Sequence, residues 1–171
     1  METDSNITIR KGVKEDIRNI LKIFECARRY MRANNNPSQW NSDYPGETDI
    51  IKDMENGNSY VGEDENGKLV MTFAFIIGED PTYKVIKEGN WLNGVPYATI
   101  HRIASNGKTA GVLKCACDYC FQFVDNIRID THRDNKPMLK ALERLGFQEC
   151  GIICCRDGSP RMAFQKIKDK E

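Results

Sequence analysis

The chain reads as a mixed α/β (α+β) protein built on one open mixed sheet, and three observations carry that expectation. Asn66-Gly67 lies between two apolar segments, the strongest short signal for an antiparallel hairpin. A strand, turn, helix and strand run from Tyr97 to Thr131, which requires two parallel neighbouring strands. Around them the hydrophobic period switches repeatedly between two and 3.6, in the order strand, two helices, three strands, helix, strand, helix, two strands.

Taken in order, "ITIR" alternates at Ile7 and Ile9 as a short strand. From Lys14, apolar residues at Ile17, Ile20, Leu21, Phe24, Ala27 and Met31 recur at helical spacing, and Asn34 to Pro37 break the pattern. The loop "QWNSDYPGE" leads to a shorter helix, Glu47 to Glu55, stopped by Asn56-Gly57. The second hairpin arm, Leu69 to Ile77, is almost continuously apolar, as a strand buried on both faces should be. Residues 79–96 form a connection long enough to suggest a functional loop or a surface excursion. The strand "YATIHRIA" then precedes a helix expected over Thr109 to Phe123, and "NIRIDTH" alternates as another strand. Asp134 or Asn135 caps the next helix, Pro137 suits its first turn, Met138, Leu139, Leu142 and Leu145 form its apolar face, and Gly146 ends it. "FQECGIICC" and "RMAFQKI" are the last strands, joined at Arg156-Asp157-Gly158-Ser159. No internal repeat or low-complexity tract interrupts the chain, which is expected to form a single domain over residues 1–171.

Composition excludes several classes of function. Lys plus Arg and Asp plus Glu number 25 each, so the formal net charge is zero, and no basic run exceeds two residues. Nucleic acid is therefore not an expected partner, and any polyanion bound should be small. No apolar run reaches membrane-spanning length, and the polar, acidic "METDSNITIR" is not a secretory signal, so a cytoplasmic protein is expected. Seven cysteines in a reducing compartment remain thiols, and an odd count forbids full internal pairing. On a helix, Cys115 and Cys117 point to nearly opposite sides, while Cys154 and Cys155 face opposite surfaces of a strand, so no metal is expected. Buried thiols behave as small hydrophobes.

The chemistry-bearing stretch is "HRIASNGKTAGVLKCACDYC", His101 to Cys120. Gly107-Lys108-Thr109 imitates the end of an ATP-binding loop, but the position that loop reserves for its first glycine is Arg102, so that assignment fails. A smaller anion remains compatible with the turn. The amides of Lys108, Thr109, Ala110, Gly111 and Val112 would open a helix, where orphan N–H groups and the macrodipole favour negative charge. Gly111 removes a side chain from the approach and Lys108 adds a point charge. The alternative is an ordinary helix start with Gly107 making the turn.

The element order, the unit at 97–123 and "THRDNKPMLKALERLGF", an asparagine-led helix closing in Leu-Gly-Phe, resemble the GNAT superfamily of acyl-CoA-dependent N-acyltransferases over nearly the whole chain. The resemblance implies a mostly antiparallel central sheet with one splayed parallel pair and helices on both faces. It implies acetyl-CoA as acyl donor, its pyrophosphate on Lys108 to Val112, its pantetheine arm along Ile103 and Ala104, and Asn135 facing that arm. Lys108 takes the family's Gln/Arg place and Gly111 its glycine, but Leu113 holds the last small position and Thr109 replaces a further glycine. The tyrosine that commonly serves as general acid is here Leu142.

His101 is the leading candidate for proton transfer because imidazole titrates near neutrality, with His132 a competitor and a packed histidine the plain alternative. By strand alternation His101 should point opposite to Arg102. Trp40, Tyr44, Tyr83 and Trp91 sit in loops that, by the resemblance, frame an acceptor pocket suited to an apolar or aromatic amine; equally, they seal those loops onto the sheet. The expected activity is acetyl transfer to a small-molecule amine or amino acid, by a monomer or a homodimer. The rivals are an acyl-CoA-binding regulatory module without turnover and a thiol redox or metal protein.

Overall fold

The computed structural model describes residues 6–170. Its seven-stranded sheet is built from β1 (Thr8–Lys11), β2 (Ser59–Glu63), β3 (Leu69–Ile77), β4 (Ala98–Ser105), β5 (Asn126–Thr131), β6 (Gln148–Cys154) and β7 (Pro160–Ile167). The spatial order is β1-β2-β3-β4-β5-β7-β6, and every pair is antiparallel except β4 with β5. β3, buried from Leu69 to Phe75, lies near the middle, which accounts for its unbroken apolar run.

Helices cover both faces. On one side α1 (Ile17–Ala33) and α2 (Glu47–Glu55) bury Ile20, Ile23, Phe24 and Ile50 against Val61, Leu69 and Ala104. On the other, α3 (Val112–Cys120) and α4 (Lys136–Arg144) bury Leu113, Ala116 and Leu142 against Phe73, Phe75, Ile100, Ile127 and Ile129. Each fully buried side chain of this size contributes about 1.5–3 kcal/mol before ordering costs. Cys117 and Cys120 belong to this second core, and burial pushes the Cys117 thiol up to about 12, so it packs as a hydrophobe. A third cluster forms under the long connection, where Tyr83, Tyr97, Ile153 and Ala163 pack with Ile86 and Trp91.

Three element boundaries differ from the sequence expectation, each for a local reason. α1 is preceded by a 3₁₀ turn at Lys14–Asp16, because the Asp16 carboxylate accepts the Val13 amide (2.8 Å) and is clamped by Arg10 (2.7 and 3.0 Å). α3 starts at Val112 rather than Thr109, since Gly111 at φ 74 lies in the left-handed region. The connection after β3 holds a further 3₁₀ turn, Pro81–Tyr83, nucleated by Asp80, whose Oδ1 accepts the Thr82 amide at 2.8 Å.

Candidate active site

β4 and β5 pair only at Ala98 with Ile127 and Thr99 with Arg128; among the described residues no further β4–β5 pair follows, so the strands diverge toward their carboxyl ends. A bulge in β4 accompanies the divergence. Across β3, Ala74 opposes His101 and Thr72 opposes Ala104, leaving Arg102 and Ile103 both opposite Phe73, and Arg102 takes up the extra residue at φ 50. Thr99, at the last position of β4 paired with β5, and Thr131, at the end of β5, bury hydroxyls that have no hydrogen-bond partner among the described residues.

The bulge overturns the expectation that His101 points away from Arg102. His101 opposes Ala74, which lines the same small cavity under α1 as Ile20, Phe24 and Arg102. Directly opposed residues share a face of the sheet. Arg102 itself reaches α2, donating to Asp53 through Nε (2.9 Å) and Nη2 (2.6 Å), with Nη1 3.3 Å from the Tyr44 hydroxyl. Both side chains therefore stand on the α1–α2 face, beside the opened strands.

His101 sits between two carboxylates. Its Nε2 is 2.8 Å from Asp80 Oδ2, and its Nδ1 lies 3.9 Å from Asp130 Oδ1 on β5. Burial would raise the Asp80 carboxyl, but bonds from His101 and from the side chain and backbone of Thr82 outweigh it and hold the group at about 2. The Tyr97 hydroxyl further anchors this segment by accepting the Asp80 amide at 2.8 Å. Tyr83, only 1% exposed, donates its hydroxyl to Asp130 Oδ1 at 2.5 Å. Burial first, then the Asp130 charge, raises the Tyr83 phenol well above its ordinary value, so it serves as a donor rather than a base. Asp80 and Asp130 were not singled out from sequence. The Asp-Pro step opening a turn was a visible signal for the first, whereas the pairing of Asp130 with a tyrosine far upstream is purely tertiary.

Of the four loop aromatics, two bring a hydroxyl to this face and two hold loops. Tyr83 packs 6.1 Å from the His101 ring, and Tyr44 meets Arg102. Trp40 packs edge-on against Phe24 of α1 at 5.5 Å. Trp91 donates to the Tyr83 carbonyl (2.9 Å), while the buried Arg128 guanidinium lies 4.2 Å from the Trp91 ring and 4.0 Å from that of Tyr97. Arg28, another buried cation, donates to the carbonyls of Asn41 and Pro45 and so holds the α1–α2 loop in place.

At the carboxyl end of β4 the predicted anion turn is present but already partly satisfied. The amides of Lys108 and Thr109 both donate to Asn106 Oδ1 at 3.0 Å, and that of Gly107 to Ser105 Oγ at 3.1 Å. The first helical bond of α3 runs from Cys115 N to Gly111 O, and the amides of Gly111 and Val112, just ahead of it, make no hydrogen bond among the described residues, as befits a helix start. A Cβ built on Gly111 would meet nothing within 4 Å, so its face is open.

Ile103 packs against the α3–α4 side and Ala104 against the α1–α2 side, their backbones lying in the part of β4 that no longer pairs with β5. Asn135 caps α4, its Oδ1 accepting the Met138 amide at 3.2 Å, and its Nδ2 donates to Gln39 Oε1 at 2.9 Å. Gln39 also accepts from Asn36, tying the α1–α2 loop to the head of α4. Leu142 is wholly buried in the α3–α4 core. His132 accepts the Asp134 amide on Nδ1 at 3.0 Å, a local bond of the β5–α4 connection. A cavity of about 370 Å³ lies at the far end, where β4 and β5 are still paired, and is lined by Ile77, Tyr97, Asn126 and Ile167 among others. No group of three or more His, Cys, Asp or Glu among the described residues is arranged to hold a metal, and no helix among them is long and apolar enough to cross a membrane.

No family model and no curated protein matches the sequence. Solved structures do. An acetyltransferase of the GNAT family from Streptococcus agalactiae is 34% identical over 96% of each chain, with a TM-score of 0.87. A GNAT-family acetyltransferase from Listeria monocytogenes (19% identity, 94% of each chain, TM-score 0.67) shares the fold. So does a ribosomal-protein-S5-alanine acetyltransferase from Vibrio fischeri (15% identity, 99% of this chain and 97% of that one, TM-score 0.61). With the antiparallel sheet, its one diverging parallel pair and the glycine turn beside it, the first of these likenesses establishes that the chain belongs to the GNAT family of acetyltransferases.

Proposed function

We propose that the chain transfers an acetyl group from acetyl-CoA to the primary amine of a small molecule or amino acid. The observation that carries this reading is the divergence of β4 from β5 beyond Thr99 and Arg128, with the open Gly111 turn on one side and His101 on the other. Acetyl-CoA supplies an activated thioester carbonyl. The amides at Gly111 and Val112, with Lys108, are the groups for its pyrophosphate, and the backbone edge about Ile103 and Ala104 that β5 no longer pairs is the track for its arm. At neutral pH an alkylamine costs about 4 kcal/mol to deprotonate, so a base beside the amine matters. His101 is that base in our reading. The seven free thiols agree with a reducing, cytoplasmic setting.

Calorimetry with acetyl-CoA, followed by thiol release across a panel of primary amines, tests the proposal. Saturable binding and amine-dependent thiol release are expected; absence of binding overturns it. A second reading, an acyl-CoA-binding module without turnover, is favoured by one observation, the burial of Leu142 where relatives commonly present a tyrosine. Binding without thiol release for any amine would select it.

A further inference from the structure

The contacts around His101 fix which of its nitrogens does chemistry. Asp80 is held ionised at neutral pH, and an ionised carboxylate only accepts hydrogen bonds. The 2.8 Å contact with Asp80 Oδ2 therefore places the proton of the neutral ring on Nε2. Nδ1 is left with its lone pair. The nearest acidic group on that side, Asp130 Oδ1, is 3.9 Å away, too far for a direct hydrogen bond and already receiving the Tyr83 hydroxyl. Asp80 is itself immobilised, with Oδ1 accepting the Thr82 amide (2.8 Å) and hydroxyl (2.6 Å) and its own amide bound to Tyr97. The other charged group at hand, Arg102 on β4, is engaged by Asp53 of α2.

We infer that Asp80 is the positioning residue of the site: it holds His101 as the Nε2–H tautomer and turns Nδ1 toward Asp130, making Nδ1 the atom that takes the proton of the acceptor amine. The inference rests on the acetyl-transfer reading and specifies its chemistry. An ammonium entering between Nδ1 and Asp130 is attracted by the carboxylate and gives one proton to Nδ1. The freed nitrogen pair forms the C–N bond at the thioester carbonyl and the C–S bond breaks. A second proton leaves the nitrogen as the amide forms; of the two, one ends on the departing thiolate and one in solvent, so the reaction releases an acetamide, a free thiol and one proton.

Long-range ¹H–¹⁵N NMR of the free protein reads the tautomer directly, and the only other histidine signal, that of His132, is assigned with His132→Gln. Wild type at pH 8 is expected to show His101 protonated on Nε2 with an unprotonated Nδ1. Asp80→Glu should keep that signature, while Asp80→Asn, whose amide can present an N–H to Nε2, should shift it toward the Nδ1–H form. With any amine that wild type acetylates, Asp80→Asn should lower kcat about a hundredfold or more and change the acetyl-CoA Kd less than twofold. An Nδ1–H tautomer in wild type overturns the inference without any variant having to fold, and so does an unaltered tautomer and kcat in Asp80→Asn. Because the tautomer is read without acetyl-CoA, its failure is separable from failure of the acetyl-transfer reading, which shows as absent binding.

Discussion

His101 and Arg102 are consecutive in β4, yet both side chains stand over the α1–α2 face of the sheet. The left-handed backbone at Arg102, φ 50, makes this possible and strains any residue bearing a Cβ. Arg102 tolerates it while its guanidinium closes on Asp53. Arg102→Ala should therefore lose the ion pair and keep the strain, whereas Arg102→Gly loses the pair and relieves the strain. We expect the glycine variant to be the more stable of the two by about 1–2 kcal/mol in urea unfolding, an inversion of the usual ranking within strands. An alanine variant at least as stable as the glycine one would show that the bulge carries no such strain.

The Gly111 turn gives a binding prediction that can be separated from folding. Asparagine is the side chain that best accepts a left-handed backbone, so Gly111→Asn should fold, while filling space that is open beside the turn. Calorimetry with acetyl-CoA should show affinity weakened at least about tenfold, about 1.4 kcal/mol. An unchanged Kd in a folded variant would remove the pyrophosphate from this turn.

These two positions also mark how far the sequence could be read. Hydrophobic period and turn chemistry placed every strand and helix within a few residues, because Asn66-Gly67, Asn135 and Gly146 act locally. The turn between Gly107 and Gly111 was foreseeable too, but not that Asn106 Oδ1 would take up the Lys108 and Thr109 amides. The bulge was not, since nothing in "HRIAS" requires a left-handed arginine; it is imposed by the register against β3 and by Asp53 on a distant helix. For the same reason His101 was visible as a residue type while its two carboxylate partners were not. Asp80 lies in an irregular connection and Asp130 on another strand, and only the packed fold brings them to one ring.

Asp80 links the site to stability. Its carboxyl is held at about 2, below the ordinary value near 3.9 of an unfolded chain. A depressed carboxyl stabilises the folded state fully above the unfolded value, and the contribution is lost as pH falls through the folded one. The stability difference between wild type and Asp80→Asn should accordingly be largest at pH 5 and shrink by about 2 kcal/mol on going to pH 2. Thermal unfolding of both proteins across that range measures it. A difference independent of pH would mean that Asp80 is not ionised against His101 and Thr82 as its contacts imply.

Leu142 supplies the last test, because restoring the commoner tyrosine is the obvious attempt to improve catalysis. Position 142 is fully buried in the core between α4 and the sheet, among side chains such as Ile129, Phe147 and Phe164. A tyrosine there adds volume to a filled space and takes a hydroxyl into an apolar one. Overpacking costs about 1–3 kcal/mol, and an unpartnered hydroxyl adds a similar penalty. Leu142→Tyr is expected to lose that stability in urea unfolding and to gain no rate of amine-dependent thiol release. A stable variant with faster release would place residue 142 at the leaving group and move the proton donor from the His101 side of the sheet to α4.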